Sequence, residues 1–175
     1  MKHYPPRTAT NPPIPQIVIP AFHAVPVRQR LDGWAPLRQA EFVGELAQCG
    51  SVAQAARAVS MGRETAYRLR RKPGAEGFAA AWDVALLRWR VLGARGRVSE
   101  WTLRRLVLAV EAGIAARQVH PKVTLAQLQW RIETGLWQVL MRGRRYTGVR
   151  RKADNSALFA VLARTGRSQV RDYDL

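Results

Sequence analysis

The segment from Ser51 to Arg71, SVAQAARAVSMGRETAYRLRR, constrains the fold of this chain more than any other stretch. In its first half, apolar residues recur at i, i+3, i+4 and i+7, the spacing of a short amphipathic helix, and Ser51 precedes them as a candidate N-cap. Ser60, Met61 and Gly62 leave room only for a tight turn before a second helix. Two short helices joined by such a turn predict a helix-turn-helix, whose second helix can enter the major groove of DNA.

The spacing of small and apolar residues also fits the longer pattern of helix-turn-helix units. That pattern has a small residue at its fifth position, where the two helices cross, and Ala56 occupies this position. Ser60 occupies a turn position that favours glycine because it needs positive φ, so we expect modest strain at this serine. A plain helical hairpin in a three-helix core would use the same periodicity, but the basic outer face favours DNA binding. The remaining positions of the pattern are apolar, and in this chain they are occupied by Ala55, Val59, Met61, Ala66 and Leu69.

The charge of the chain is strongly positive, with 29 basic residues against 12 acidic ones and a net charge of +17. Arginine predominates, and its guanidinium group binds phosphate through a bidentate fork. A GC-rich genome would favour arginine over lysine, but it would not produce the excess of positive over negative charge. The composition therefore favours a phosphate-bearing partner, and together with the helix-turn-helix it predicts double-stranded DNA. The lysines are Lys2, Lys72, Lys122 and Lys152.

Several classes of protein are disfavoured by what the sequence lacks. The single cysteine, Cys49, excludes an internal disulfide and a zinc site built on cysteines. No apolar run approaches the roughly 18 residues that span a bilayer, so no membrane partner is expected. Prolines interrupt the N-terminus where a signal peptide would need an apolar core, which predicts a cytoplasmic, nucleoid-associated protein.

Catalysis has little support in the sequence. His3, His23 and His120 are scattered, Glu64 and Glu100 lack partners at catalytic spacing, and no HExxH, GxSxG or phosphate-loop glycine pattern occurs. We therefore expect a protein that is not an enzyme, without catalytic residues, metal ligands or a cofactor.

The predicted fold is all-α and has four parts. Residues 1–33 are rich in proline and predict a disordered basic arm, and residues 34–73 predict a three-helix domain that contains the helix-turn-helix. Residues 74–164 predict a helical accessory or oligomerisation region, and residues 165–175 a flexible tail. The arm ends in Arg28 and Arg30, and it is either a solvated linker or a minor-groove arm like those of homeodomains.

The first helix of the domain is predicted to begin at Ala35-Pro36 and to run to Cys49, where Gly50 ends it. Pro73-Gly74 marks the predicted end of the domain. The side chains expected to cover the helix-turn-helix are Trp34, Leu37, Phe42, Val43 and Leu46.

Four further helices are expected in the accessory region: 75–92, one capped at Ser99, one from Thr124 to Leu140, and one that Asp154 caps and that runs to Arg164. Trp130 and Trp137 form a second apolar strip on the third of them, which indicates a homo-oligomer contact. The inward-facing residues are predicted to be Phe78, Ala81, Trp82, Ala85 and Trp89; Leu103, Leu106, Val107, Val110 and Ile114; Leu125, Leu128, Ile132, Leu136, Val139 and Leu140; and Leu158, Val161 and Leu162.

The segment Arg142–Lys152, RGRRYTGVRRK, contains six basic residues in eleven. Tyr146, Thr147 and Val149 favour a strand and Gly148 can turn, which is compatible with a short basic β-hairpin. A flexible basic loop fits the same residues equally well, and both alternatives remain open. In either form, this segment is predicted to be a second contact to DNA.

The stretch EFVGELAQCGSVAQAARAVSMGRETAYRLRRKPG resembles the helix-turn-helix of bacterial and phage DNA-binding proteins, and in particular of small terminase subunits and related homeodomain-like regulators. The resemblance covers about 40 residues and implies DNA binding by a helical domain. In that family the later helices form an oligomerisation region, which residues 75–164 would provide here. The matching residues are Gly50, Ser51, Ala55, Ala56, Arg57, Met61, Tyr67, Leu69 and Arg70.

The function expected from these features is sequence-specific binding of double-stranded DNA by a bacterial or phage transcriptional regulator. One alternative is a DNA-packaging or recruitment protein like a small terminase subunit, and another is non-specific nucleic-acid binding through the arginine-rich segments. The residues expected to contact bases are Arg63, Glu64, Tyr67 and Arg68. The residues expected to contact phosphates are Arg28, Arg30, Arg57, Arg70, Arg71, Lys72, Arg144, Arg145, Arg150 and Arg151.

Overall fold

A computed structural model describes residues 17–28, 30, 32–93, 104, 105, 107, 108, 110–112 and 123–171 of the chain, with side chains up to residue 165. The described residues are mostly helical and include a small antiparallel sheet. The helices are α1 (Pro36–Cys49), α2 (Val52–Ala58), α3 (Arg63–Arg70), α4 (Glu76–Gly93), α5 (Leu125–Thr134) and α6 (Asn155–Arg171). The strands are β1 (Phe22–His23), β2 (Leu136–Arg142) and β3 (Arg145–Lys152).

The helices near the helix-turn-helix segment begin and end where the sequence predicts. Pro36 is the first residue of α1, and Gly50 ends the helix in the left-handed conformation with its N–H bonded to the Leu46 carbonyl. The hydroxyl of Ser51 accepts a hydrogen bond from the backbone N–H of Gln54 and so caps α2. The prediction that Leu37 packs inward was wrong, because its side chain is exposed.

The sheet corrects the all-α prediction. Its strand order is β1-β2-β3, with Phe22 opposite Trp137 and Val139 opposite Val149. The helix predicted to run to Leu140 ends at Thr134, since Gly135 adopts a φ of 69° that interrupts the helix. Of the two alternatives for the basic segment, the hairpin is therefore the one found, and it is longer than predicted.

The segment from residue 17 to residue 28 is ordered against the fold, which corrects the prediction of a disordered arm as far as residue 33. An extended, proline-containing chain cannot satisfy its own backbone groups, and here distant side chains bond to them. The buried amide of Gln39 accepts from the Val25 N–H at 2.7 Å and donates to the Val25 carbonyl at 3.1 Å. Trp130 Nε1 donates to the Ala24 carbonyl at 2.8 Å, and Arg88 donates to the Ile17 carbonyl at 2.6 Å.

One hydrophobic core joins the arm, the helix-turn-helix segment, α4 and β2. Phe42 on α1 lies at its centre, with ring centroids 4.8 Å from Trp82 and 6.1 Å from Phe78, and Phe22 of the arm packs edge-on to Phe78 at 5.8 Å. The core therefore continues through the boundary predicted near residue 73. Its other buried members include Ile19, Val25, Trp34, Val43, Leu46, Ala55, Ala56, Val59, Ala66, Leu69, Ala81, Ala85 and Val139.

The predicted apolar strip of Trp130 and Trp137 does not exist as a helix face. Trp130 belongs to α5 and bonds the arm, whereas Trp137 belongs to β2 and packs against the core. Leu158 and Leu162 were predicted to face inward, but on α6 they are exposed. The predictions for Ser99, Leu103, Leu106 and Ile114 lie outside the described residues. Among the described residues, no helix combines the length and the apolar character needed to cross a membrane.

His23 lies where β1 meets the start of α6. Its Nε2 is 3.3 Å from Oδ2 of Asp154, and its Nδ1 is buried without a hydrogen-bond partner among the described residues. Burial, followed by the charge of Arg131, lowers the pKa of His23 below its ordinary value of 6.5. Asp154 and a backbone contact with Gly135 act in the opposite direction and are outweighed, so folded His23 loses its proton at a lower pH than an exposed histidine.

We expect the free energy of unfolding to fall as the pH drops below about 6.5, because the unfolded chain then binds a proton that folded His23 resists. The variant His23→Gln should show a shallower decrease, which urea unfolding curves between about pH 5 and pH 8 would measure. Equal pH dependence of the wild type and the variant would contradict this assignment.

Candidate nucleic-acid interface

The α2–α3 unit has the backbone and packing that its residue pattern predicts. Ser60 has a φ of 57° and is the sole non-glycine residue with positive φ in the described part of the chain, as expected for the turn position. The turn closes through a 2.8 Å hydrogen bond from the Met61 N–H to the carbonyl of Ala56, whose side chain is fully buried. Any side chain larger than alanine at residue 56 would have to displace neighbouring core atoms.

The orientation of α3 is fixed at its first turn by a chain of hydrogen bonds. The hydroxyl of Thr65 donates to the Gly62 carbonyl at 2.6 Å and accepts from the indole N–H of Trp34 at 3.2 Å. Trp34 is buried just before α1, so these two hydrogen bonds connect the start of α3 to the core. The sequence pattern did not single out Thr65, whose neighbours offer no signal for this contact.

The outer face of α3 presents charged side chains to solvent. Arg63, Glu64 and Arg68 are exposed, and the long 4.0 Å pair between Arg63 and Glu64 leaves both groups able to bond elsewhere. Tyr67 is partly buried, with its ring 5.5 Å from Trp82. Of the four residues predicted to contact bases, Tyr67 is thus the one that the core already engages.

The predicted phosphate ligands near the end of α3 differ in their surroundings. Arg70 Nη2 lies 2.6 Å from Oδ1 of Asp83, and the guanidinium lies 5.2 Å from the ring centroid of Trp82, so Arg70 joins α3 to α4. Arg71 and Lys72 are exposed beside a cleft of about 530 Å³. These two cations are free to reach a phosphate, whereas Arg70 would have to leave a carboxylate.

The β2–β3 hairpin is held on α1 by Tyr146. Its backbone N–H donates to Oε1 of Gln48 at 2.8 Å, and its ring lies directly over Gly44. A β-bulge leaves Thr147 as the extra residue on β3, which turns the Tyr146 side chain toward α1. Burial, and then the charges of Glu41 and Glu45, raise the pKa of Tyr146 to about 12, so the phenol stays protonated.

The turn of the hairpin is held from a second side by Arg88 of α4. Its guanidinium donates to the carbonyl of Gly143 and also to the carbonyl of Ile17 in the arm. Burial lowers the pKa of Arg88, and the carbonyls are the partners that stabilise its charge. The α1 and α4 contacts together give the hairpin a fixed position, which a flexible loop would lack.

The basic side chains of the hairpin are exposed, but they are not equivalent. Arg151 donates to the carbonyls of Thr134 (3.0 Å) and Glu133 at the end of α5, where a cation is favourable. In the described part of the chain, no carboxylate lies within 4 Å of the exposed basic groups of Arg142, Arg144, Arg145, Arg150 and Lys152.

The other predicted phosphate ligands also lie at the surface: Arg28 and Arg30 before α1, and Arg57 on α2, are exposed. Among the described residues, no group of three histidine, cysteine, aspartate or glutamate side chains could hold a metal ion. No family model, curated protein or solved structure matches this chain.

Gly44→Ala tests the attachment of the hairpin to α1. A Cβ at residue 44 would overlap the Tyr146 ring, and overpacking of this kind costs about 1–3 kcal/mol, although alanine in a helix is intrinsically about 1 kcal/mol better than glycine. We expect Gly44→Ala to destabilise the wild type and to stabilise the Tyr146→Ala variant. Urea unfolding of the wild type, the two single variants and the double variant measures both changes in the free energy of unfolding. A stabilising Gly44→Ala in the wild-type background would show that the ring lies elsewhere.

Proposed function

We propose that this protein binds double-stranded DNA sequence-specifically, with α3 as the recognition helix, and acts as a bacterial or phage transcriptional regulator. The observation that carries the proposal is the exposed, charged face of α3 on a unit whose turn residue, Ser60, has positive φ. The proposed role is non-enzymatic and places the protein in the cytoplasm on the nucleoid.

The side chains of α3 suit base recognition in the major groove. Arg63 and Arg68 can each donate a bidentate pair to O6 and N7 of guanine, and Glu64 can accept from N4 of cytosine. Glu64 is the sole acidic residue between Ser51 and Lys72. A carboxylate at the DNA surface repels phosphates, so it gains only where a base donates to it, which favours specific over non-specific binding.

Phosphate contacts would hold α3 in register. Arg57, Arg71 and Lys72 are exposed on and beside the α2–α3 unit and are the proposed ligands there. Arg144 and Arg145 at the hairpin turn are proposed as the second contact, since these cations have no carboxylate within 4 Å among the described residues.

A packaging role like that of small terminase subunits is the alternative that the sequence resemblance leaves open. It differs from regulation in the assembly it requires, since a large ring would recruit a packaging motor. Mass in solution distinguishes the two roles: a monomer or dimer favours the regulator, and a large ring favours packaging.

Arg68→Ala and Arg71→Ala should affect DNA binding in different ways. We expect Arg68→Ala to cost about 1–3 kcal/mol on a duplex selected from a random pool and to relax base preference at one position. Arg71→Ala should weaken all duplexes alike and reduce the slope of log K against log salt by about one. Selection followed by fluorescence titration between about 50 and 200 mM salt measures both effects.

Two outcomes would count against the proposal. Absence of duplex binding by the wild type at low salt would remove it entirely. If Arg68→Ala and Arg71→Ala each lowered the affinity equally for every duplex sequence, α3 would not read bases, and non-specific binding would remain. Arg90→Ala, which removes an exposed arginine from α4, serves as the control for a change in net charge alone.

Removing two cations from the hairpin tests the second contact. We expect Arg144→Gln with Arg145→Gln to lower affinity for all duplexes and to reduce the salt slope by about two, because each phosphate contact contributes about 0.9. The matched control, Arg90→Gln with Arg104→Gln, removes the same charge from exposed helical positions. Stability should change by less than about 0.5 kcal/mol in either double variant. Equal salt slopes for the two double variants would place the hairpin away from DNA.

A further inference from the structure

A cleft of about 520 Å³ separates part of the arm from β2. The two segments pair at β1, where Phe22 lies opposite Trp137, and the pairing covers two residues of the arm. Beyond β1 the segments move apart, so residues 17–19 and residues 138–141 form two sides of the cleft, and α4 forms a third. We name this space the arm cleft. Its volume is within the range of small-molecule sites.

The walls of the arm cleft are mostly apolar. Seven of its ten lining residues have aliphatic or thioether side chains, among them Val18 on the arm, Leu92 on α4 and Leu140 on β2. Val18 is 65% exposed, so part of this apolar surface faces water. A ligand with an apolar tail would cover that surface, which is favourable in proportion to the area removed from water.

Arg88 is the sole charged group among the described residues that line the arm cleft. Its guanidinium donates to the carbonyls of Ile17 and Gly143, so it lies where the arm approaches the hairpin turn. Its Nε is buried without a hydrogen-bond partner, and no carboxylate of the described residues lies within 4 Å of the group. A guanidinium has five N–H groups, so the two carbonyls leave donors unused. Carbonyls stabilise the charge without neutralising it, and an anion placed here would gain a charge-assisted hydrogen bond.

We propose that the arm cleft binds a small amphipathic carboxylate, with the carboxylate group on Arg88 and the apolar tail between the arm and β2. The cation alone would accept any small anion, and the apolar walls alone would accept any apolar molecule, so the two together select a fatty-acid-like ligand. From residue 138 to residue 142 a strand extends about 14 Å, which is comparable to the length of a medium-chain fatty acid. This site is independent of DNA binding, and it is tested without DNA.

Calorimetric titration of the full chain with octanoate tests the site. We expect one molecule to bind with a Kd below about 1 mM in about 150 mM salt, which screens weak attraction to the other cations. Acetate lacks the tail and 1-octanol lacks the charge, so each should bind at least about tenfold more weakly. From butyrate to octanoate, each added methylene should tighten binding by up to about fourfold.

Two variants of α4 test the role of the guanidinium. Arg88→Gln removes the charge but keeps an amide donor, and it should weaken octanoate binding by about tenfold or more. Arg90→Gln is the matched control, because it removes an exposed arginine two positions further along the same helix and should leave the affinity unchanged.

Two variants of the arm test the site without altering Arg88. Val18→Asp places a carboxylate in the cleft directly after the Ile17 carbonyl that Arg88 holds, so it should compete with octanoate and weaken its binding by about tenfold or more. Val18→Asn has nearly the same shape without the charge and should stay within about threefold of the wild type. Residue 18 is exposed, so both variants should keep the wild-type melting temperature, and they decide the matter even if Arg88→Gln does not fold.

Three results would overturn the proposal: no saturable binding of octanoate below about 1 mM, equal affinity for octanoate and 1-octanol, or equal affinity of Val18→Asp and Val18→Asn for octanoate. A loss in Arg90→Gln as large as that in Arg88→Gln would also overturn it, because octanoate would then follow the positive surface in general.

Discussion

The packing of Phe42 against Trp82 is the contact on which the other parts of the structure depend. It joins α1 to α4 at a centroid distance of 4.8 Å, and both side chains are almost completely buried. Because α1 also supports α2 and the hairpin, the proposed recognition helix and the proposed second contact share one support. A shift of α1 would move both, whereas a change in the side chains of either element would leave the other in place.

The elements that the sequence predicted are those whose signals are local. Pro36, Gly50, Ser51 and Ser60 determine where helices begin, end and turn through their own backbone preferences. The positions of the arm and of β2 depend on contacts with residues far away in sequence. No local pattern predicts, for example, that Gln39 bonds to Val25. The apolar residues of 136–140 fit a helix and a strand alike. Gly135 separates the strand from α5 because its φ of 69° ends the helix, and only glycine fits there, since a Cβ would lie 2.5 Å from the Lys152 carbonyl.

The roles of the arginines in the candidate site also depend on contacts that the sequence does not reveal. Arg68, Arg70 and Arg151 could not be distinguished from the sequence, and all three were predicted to contact DNA. In the structure Arg70 binds Asp83 and Arg151 binds the carbonyls at the end of α5, whereas Arg68 faces solvent. Tertiary contacts therefore divide the arginines into those that hold the fold together and those available to a ligand, and composition alone could not make that division.

The contacts of the arm impose an order on folding. Residues 17–28 leave the ribosome before α5 does, and Trp130, which bonds Ala24, lies 106 residues further along the chain. Until β2 and α5 have been synthesised, the arm has only part of its hydrogen-bond partners. The α1–α3 helices can form from near neighbours, while sheet pairing and closure of the arm must wait, because loop closure over such separations is slow. The arm is thus made well before β2 and α5, and it must wait for them to complete its native contacts.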